Sequence, residues 1–296
     1  PDEGTEPEYN NVDGTLWFIE AVRAYYEAAR DESFLRQVYP LLVEIVERHL
    51  RGTRFGIHAD VDGLLSSGEP GQQLTWMDAK VDGLVVTPRS GKPVEVQALW
   101  HNALRIVALY AANLGDAFTA ARLLALADQA RESFAALFWD AESGYLADVV
   151  APDGTRDLTL RPNQLFALSL HRPLLTGARA ASVLRAVEER LLTPYGVRSL
   201  DPAHPDYRGR FEGGPAERDA AYHQGTAWPW LLGPLVDAHL AVRGNTPDSR
   251  RTAAAWLAPL VEHLFGAGLG LLPEVFDGDP PHRPGGCVAQ AWSVGE

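Results

Sequence analysis

The sequence predicts an all-α chain, an (α/α)6 toroid that is incomplete at both ends. Three observations point to it. Amphipathic helical segments alternate with segments that are apolar nearly all round; an aromatic residue recurs near the start of each apolar segment; and the recurrences are spaced by 83, 66, 62 and 64 residues. A helix with a polar face covers a core, whereas one without a polar face is buried on both sides. Alternation of the two kinds is what the outer and inner rings of such a barrel require.

Residues 12–30, with Trp17, Phe18 and Ile19, open the apolar set. Residues 33–50 then place Phe34, Leu35, Val38, Leu41, Leu42, Ile45 and Val46 on one stripe, opposite Arg36, Glu44, Glu47 and Arg48. The next apolar segment, 94–114, holds Leu99, Trp100, Leu104, Ile106 and Val107 and stops at Gly115. Asp116 is the expected N-cap of the amphipathic segment 117–138, which carries Phe118, Ala121, Leu124, Ala125, Phe134 and Leu137. Segments 163–171, 226–241 and 287 onward complete the apolar set, and Thr176 and Thr246-Pro247 begin two more amphipathic helices. This makes five inner and four outer helices, where a closed ring of six hairpins needs twelve.

The recurring aromatics are Trp17, Trp100, Phe166, Trp228 and Trp292. Gln97, Gln164, Gln224 and Gln290 precede the last four by two to four residues, and short pieces (Gly63-Leu-Leu, Gly144-Tyr-Leu, Gly196-Val, Gly270-Leu-Leu) come ahead of each. A unit of this length exceeds a tetratricopeptide repeat and fits a larger helix hairpin with its connection. No Pro/Ser/Gly-rich linker divides the chain, so residues 1–296 read as one domain. Pro1 is followed by an acidic stretch (Asp2, Glu3, Glu6, Glu8), and Trp292 to Glu296 lies in what reads as a starting helix. Both ends therefore read as cut.

With 26 Lys and Arg against 39 Asp and Glu, the 296-residue chain carries a formal charge of −13. Binding nucleic acid requires clustered cations that this balance disfavours. No apolar run approaches the ~18 residues of a membrane span, and no signal peptide precedes the first helix. The single cysteine, Cys287, excludes an internal disulfide and a multi-cysteine zinc site. No phosphate-binding loop, Gly-x-Ser-x-Gly elbow, His-Glu-x-x-His helix or dinucleotide fingerprint is present. Asp277-Gly-Asp279 is too short for a calcium loop and reads as a turn. The expectation is a cytoplasmic protein without metal or cofactor.

Chemistry is expected in the connections leading into the inner helices. The longest, residues 52–92, contains Leu74-Thr-Trp-Met-Asp-Ala-Lys80 and leads into Thr87-Pro-Arg-Ser-Gly-Lys-Pro-Val-Glu95. An indole can stack on a pyranose face while charged groups take hydroxyls; a solvated loop with one packed tryptophan is the plainer alternative. Carboxylates recur in the same places: Asp13; Asp78 and Glu95; Glu212, Glu217 and Asp219; Glu274 and Asp277. Glycosidic cleavage needs two carboxyl groups across a pocket, one protonated and one ionised. Asp78, two residues from Trp76, is the candidate proton holder, because desolvation by an indole raises a carboxyl pKa. His223, in Tyr222-His-Gln-Gly-Thr-Ala-Trp-Pro-Trp230, reads equally as a core histidine or as pocket wall.

Taken together these motifs resemble the C-terminal amylo-1,6-glucosidase domain of bacterial-type glycogen debranching enzymes, glycoside hydrolase family 133. The resemblance rests on Tyr9-Asn-Asn-Val-Asp-Gly-Thr-Leu-Trp-Phe18, the two stretches 74–80 and 87–95, Glu217-Arg-Asp-Ala-Ala-Tyr-His-Gln-Gly-Thr-Ala-Trp-Pro-Trp230, Pro273-Glu-Val-Phe-Asp-Gly-Asp-Pro-Pro-His-Arg283 and Ala289-Gln-Ala-Trp-Ser293. It implies an (α/α)6 barrel that removes α-1,6-linked glucose from trimmed branches of glycogen with inversion. Asp78 would be the general acid and Glu274 the general base, their carboxyl groups ~6.5–9.5 Å apart. Trp76, Lys80, Glu95, Tyr222, His223, Gln224, Trp228 and Asp13 would hold the terminal glucose, and the partner would be glycogen or a branched α-glucan. Family domains begin with a further hairpin bearing a Gly-Arg-Asp loop that helps bind glucose, so activity is expected of the whole enzyme rather than of this chain alone. Two other readings fit the same residues: another inverting α-glucosidase of glucoamylase- or trehalase-like kind, and a non-catalytic glycan-binding fragment.

Overall fold

In a computed structural model, residues 10–295 are described; Tyr9 of the first motif, the acidic residues Asp2, Glu3, Glu6 and Glu8, and Glu296 lie outside them. The helices run in chain order as α1 Gly14–Ala29, α2 Glu32–Arg51, α3 Val94–Leu114, α4 Ala117–Leu137, α5 Phe166–Ser169, α6 Gly177–Arg190, α7 Pro215–Tyr222, α8 Leu232–Arg243, α9 Pro247–Phe265 and α10 Ala291–Gly295.

Helix α3 is the first hub. It is buried from Val94 through Leu104 and again at Ile106, Val107, Ala108, Tyr110 and Ala111, and it packs on α1, α2, α4 and α5. Its ends fall at the predicted boundaries: Gly115 closes it in a left-handed conformation, and Asp116 accepts the Thr119 amide to cap α4. Helix α8 is the second hub, packed on α5, α6 and α9. Thr246 caps α9 in a reciprocal box with Ser249, and Pro247 takes the first helical turn, where no amide is needed.

The all-α expectation does not hold. Among the described residues helix accounts for about 52% and strand for about 11%, and the connections form five small antiparallel sheets. One sheet joins Lys92–Pro93, Val149–Val150 and Arg156–Asp157. A five-stranded sheet joins Leu192–Thr193, Gly196–Arg198, Ala227–Trp228, Val275–Phe276 and Pro284–Gly285 in chain order. Strands of two or three residues are too short to show a period-two pattern, which is why they read as loops. The (α/α)6 toroid is corrected accordingly to a helical structure whose connections are tied by short ladders.

Other elements also differ from expectation. Helix α1 buries only Leu16, Ile19 and Val22, so it is amphipathic and not buried on both sides. Segment 163–171 divides into a 3-10 turn, Pro162–Leu165, and the single turn of α5. Segment 226–241 begins as a strand and a 3-10 turn, Pro229–Leu231, before α8. Helix α7 lies within what read as loop. Among the described residues no helix is long and apolar enough to cross a membrane.

The repeated glutamines have a physical role. Gln97 accepts the Leu65 amide and donates to the Leu65 carbonyl, each at 2.8 Å, fastening the Gly63-Leu-Leu piece to α3. Gln164 accepts the Leu146 amide of the Gly144-Tyr-Leu piece at 3.2 Å. At Gln97 and Gln164 the period in the sequence is thus a clamp between the incoming connection and the segment it enters.

Gly91 adopts φ +110°, and a Cβ there would sit 2.3 Å from the Val150 carbonyl oxygen. Gly91→Ala is therefore expected to cost about 3 kcal/mol through overpacking and backbone strain. Thermal unfolding would register this as a melting temperature lower by several degrees.

Candidate active site

A cavity of about 580 Å³ opens where the connections converge. It is lined by Asn11, Asp13, Gly14 and Trp17 at the start of α1, by Thr75, Trp76 and Asp78 from the long connection, and by Glu95 at the start of α3. Phe166 (α5), Tyr222 (α7), Trp230, Glu274, Gln290 and Trp292 (α10) complete the wall. Four rings form a continuous side: Trp17 meets Phe166 edge-on at 5.5 Å, Phe166 stacks on Trp230 at 5.8 Å, and Trp230 stacks on Trp292 at 5.7 Å.

Beside this cavity lies a dry ionic network. The Arg89 guanidinium grips both Glu95 oxygens on one side and both Asp148 oxygens on the other, with all three side chains almost fully buried. Asp148 is brought to Arg89 by the sheet pairing Lys92–Pro93 with Val149–Val150; the Val94 amide also donates to the Asp148 carbonyl. The network continues from Asp148 to the Asn163 amide at 2.7 Å, and from Asn163 to the Trp76 indole N–H at 2.8 Å. Burial opposes the charge on Arg89, but Asp148 and Glu95 hold its pKa well above the usual range. Burial likewise pushes the Glu95 carboxyl up, and the guanidinium beside it pulls the other way. Glu95 thus presents a cavity-facing carboxylate whose orientation is set from behind.

Glu274 precedes the strand Val275–Phe276, which pairs with Ala227–Trp228. Three donors converge on its carboxylate: the Tyr222 hydroxyl at 2.5 Å, the Gln290 side-chain amide at 2.8 Å and the Cys287 backbone N–H at 3.0 Å. Burial and the hydrogen bond to Glu274 raise the Tyr222 pKa far above that of a free phenol, so Tyr222 remains a donor. Gln290 belongs to the repeated glutamine series. Its backbone N–H still bonds the Leu272 carbonyl of the Gly270-Leu-Leu piece, while its side chain has turned to the carboxylate.

Asp78 is set differently. Its side chain is 65% exposed, so the desolvation by Trp76 expected from the sequence is absent. Trp76 instead meets the rings of His223, Trp228 and Trp230 at 5.1–5.3 Å. His223 is fully buried, stacks on Trp228 at 5.2 Å, and has Nε2 3.5 Å from Asp78 Oδ1. Among the described residues neither ring nitrogen has a hydrogen-bond partner, and burial lowers the His223 pKa against the pull of Asp78. The ring is accordingly a neutral wall behind Asp78. Burial also raises the Asp13 carboxyl, to about 6, reinforced by the negative charge of Glu95. Asp13 occupies the N-cap position of α1 without spending its side chain on a cap bond.

Of the sequence candidates, the structure brings Asp78, Glu274, Trp76, Glu95, Tyr222 and Asp13 to one cavity. The other four do not line it. Lys80 is exposed on the hairpin that pairs Lys80–Val81 with Leu84–Val85. Gln224 accepts from Arg161 at 2.7 Å and faces away. His223 and Trp228 support Trp76 from behind. Sequence reasoning missed Asn11, Trp17, Phe166, Trp230, Gln290 and Trp292 as lining residues. For Trp17, Phe166 and Trp292 the signal was the recurring aromatic itself, read as a packing mark when it also forms the pocket wall. Among the described residues no group of three His, Cys, Asp or Glu is gathered to hold a metal ion.

A pocket of carboxyl groups with an aromatic wall, set at the ends of short ladders on a helical frame, has the make-up that glycoside-cleaving sites require. Comparison with known proteins points to the same class. The profile of the amylo-alpha-1,6-glucosidase family matches residues 1–296, and the chain belongs to that family. It is 25% identical over 325 residues to the glycogen debranching enzyme of Saccharomyces cerevisiae (strain ATCC 204508 / S288c), covering 80% of this chain and 21% of the yeast protein. It is 29% identical over 223 residues to solabiose phosphorylase of Paenibacillus borealis, covering 68% of this chain and 27% of that protein. The chain therefore spans about a fifth to a quarter of the length of these relatives. In fold it is similar to the GH78 family rhamnosidase of Bacillus sp. GL1, with TM-score 0.60 at 18% identity, over 96% of this chain and 25% of that one. It is also similar to a sialidase, with TM-score 0.72 at 17% identity, over 94% and 24% respectively.

Two outcomes test the electrostatics. Arg89→Met would leave Glu95 and Asp148 buried without their shared cation and is expected to cost about 3–5 kcal/mol in urea unfolding. Asp13, raised from 3.8 to about 6, holds a proton in the folded chain that it has lost in the unfolded one. Stability is thus fully present below pH ~4 and falls as pH rises through ~6, by about 3 kcal/mol for this group. Asp13→Asn should flatten the dependence of the unfolding midpoint on pH between these limits; an unchanged slope would remove Asp13 as its source.

Proposed function

We propose that this site hydrolyses the α-1,6-linked glucose at branch stubs of glycogen or a limit dextrin, with inversion, using Asp78 as general acid and Glu274 as general base. The observation that carries the reading is that Asp78 and Glu274, from separate elements, face one aromatic-walled cavity in contrasting settings. Family membership and the likeness to a yeast protein named for glycogen debranching support the bond and the polymer.

In the proposed reaction the terminal glucose lies along the ring series Trp17, Phe166, Trp230 and Trp292. Glu274 is held by three donors and so is aimed, as a base that must align one water requires. It takes a proton from that water as the oxygen attacks the anomeric carbon. Asp78, at the exposed side, gives its proton to the departing C6 oxygen of the polymer. Its exposure leaves room for the polymer outside the cavity. Asp13 and Glu95, which line the same cavity, take sugar hydroxyls in this reading.

Asp78→Asn and Glu274→Gln, each made in the full-length protein, are expected to lower glucose release by at least about 10³-fold. Tyr222→Phe should cost about 10- to 100-fold, because it removes one bond to the charged base. Proton NMR of the first product should show β-glucose, and a 6-O-glucosyl dextrin should be cleaved faster than a linear α-1,4 dextrin. Preference for the linear dextrin would replace the bond specificity. Release that needs phosphate and yields glucose 1-phosphate would replace hydrolysis by phosphorolysis, and turnover by either carboxamide variant would overturn the catalytic assignment.

A further inference from the structure

A second cavity, of about 550 Å³, lies between α3, α4 and the turn that follows α5. None of its lining residues is shared with the carboxylate cavity. Three guanidiniums border it, Arg105 from α3, Arg131 from α4 and Arg172 from the turn, in a chain whose formal charge is −13.

Their pairing is incomplete. Arg105 and Arg131 share one carboxylate, Asp128, at 2.6 and 3.5 Å. Arg172 has its backbone fixed on both sides: Asn102 Oδ1 accepts its N–H at 3.0 Å, and its carbonyl lies 3.1 Å from His101 Nδ1. Among the described residues its guanidinium has no carboxylate partner. His101 adds no charge. A ring nitrogen facing a carbonyl carries the proton, so Nε2 is the acceptor and faces Arg105 Nε at 3.4 Å. Three cations against one anion leave a local excess of positive charge on an otherwise acidic molecule.

We infer that this cleft is a binding site for a phosphate-bearing small molecule. Guanidinium forks match phosphate oxygens in bidentate pairs, and the three here come from separate elements around one space. The space is larger than a lone phosphate needs. Its remaining wall, Ala108, Leu109, Ala112, Leu124 and Pro173, is apolar, so the ligand carries an organic body against that wall with its phosphate among the arginines. The site stands apart from the carboxylate pocket and does not rest on the reaction proposed there.

The test is calorimetric titration of the full-length protein with ATP and with inorganic phosphate, without metal, and with acetate for comparison. ATP is expected to bind in the sub-millimolar range and inorganic phosphate more weakly. Arg172→Glu and Arg131→Glu should each weaken ATP by about tenfold or more, and Glu274→Gln should leave its affinity unchanged. Arg172→Gln serves if thermal unfolding shows the charge reversal to be destabilising. No binding of either phosphate, affinity unchanged in the arginine variants, equal binding of acetate, or loss of binding in Glu274→Gln would each overturn the inference.

Discussion

The Arg89 fork is the interaction on which the site depends. It is made by one residue of the long connection and reaches both the first turn of α3, through Glu95, and the sheet beyond α4, through Asp148. Separately, each of these buried charges would be costly to desolvate. Together they satisfy one another and extend through Asn163 to the indole of Trp76. An apolar contact in the same place would hold the elements near each other without fixing their angle. The directional fork does fix it, and the cavity wall formed by Trp76 and Glu95 takes its shape from that.

The carboxyl groups around the cavity are not equivalent, and the difference comes from their elements. Glu274 sits at the mouth of a ladder with three donors around it. Asp78 projects from an irregular stretch into solvent, with the edge of a buried histidine 3.5 Å away. Asp13 is at a helix start, buried, with the charge of Glu95 close by. One cavity therefore presents a fixed anion, an open carboxyl and a carboxyl inclined to keep its proton.

Much of the helical frame was legible from the sequence because long periodic segments carry strong signals. The start and end of α3, the Asp116 cap and the Thr246 start all fall where residue chemistry put them. The ladders were not legible, since two residues such as Val275-Phe276 or Val149-Val150 carry no period. They are nonetheless what ties the strand following Glu274 to Ala227–Trp228 and brings Asp148 beside Arg89. The site was legible as a set of motifs and only partly as a set of orientations. Lys80 shares a motif with Asp78 but turns out along a hairpin, and Gln224 shares one with Tyr222 but turns in toward Arg161. The glutamine repeat was visible without its meaning, which needs the backbone groups of Leu65 and Leu146 that Gln97 and Gln164 hold.

The aromatic wall has an optical consequence. Four of the eight tryptophans, Trp17, Trp76, Trp230 and Trp292, border the carboxylate cavity, and all four are in ring contact with further aromatics of the same cluster. Half of the chain's indoles therefore lie beside one small volume. The native protein carries its own fluorescent reporter of what enters that volume, with no label to introduce and no engineered residue to disturb the packing.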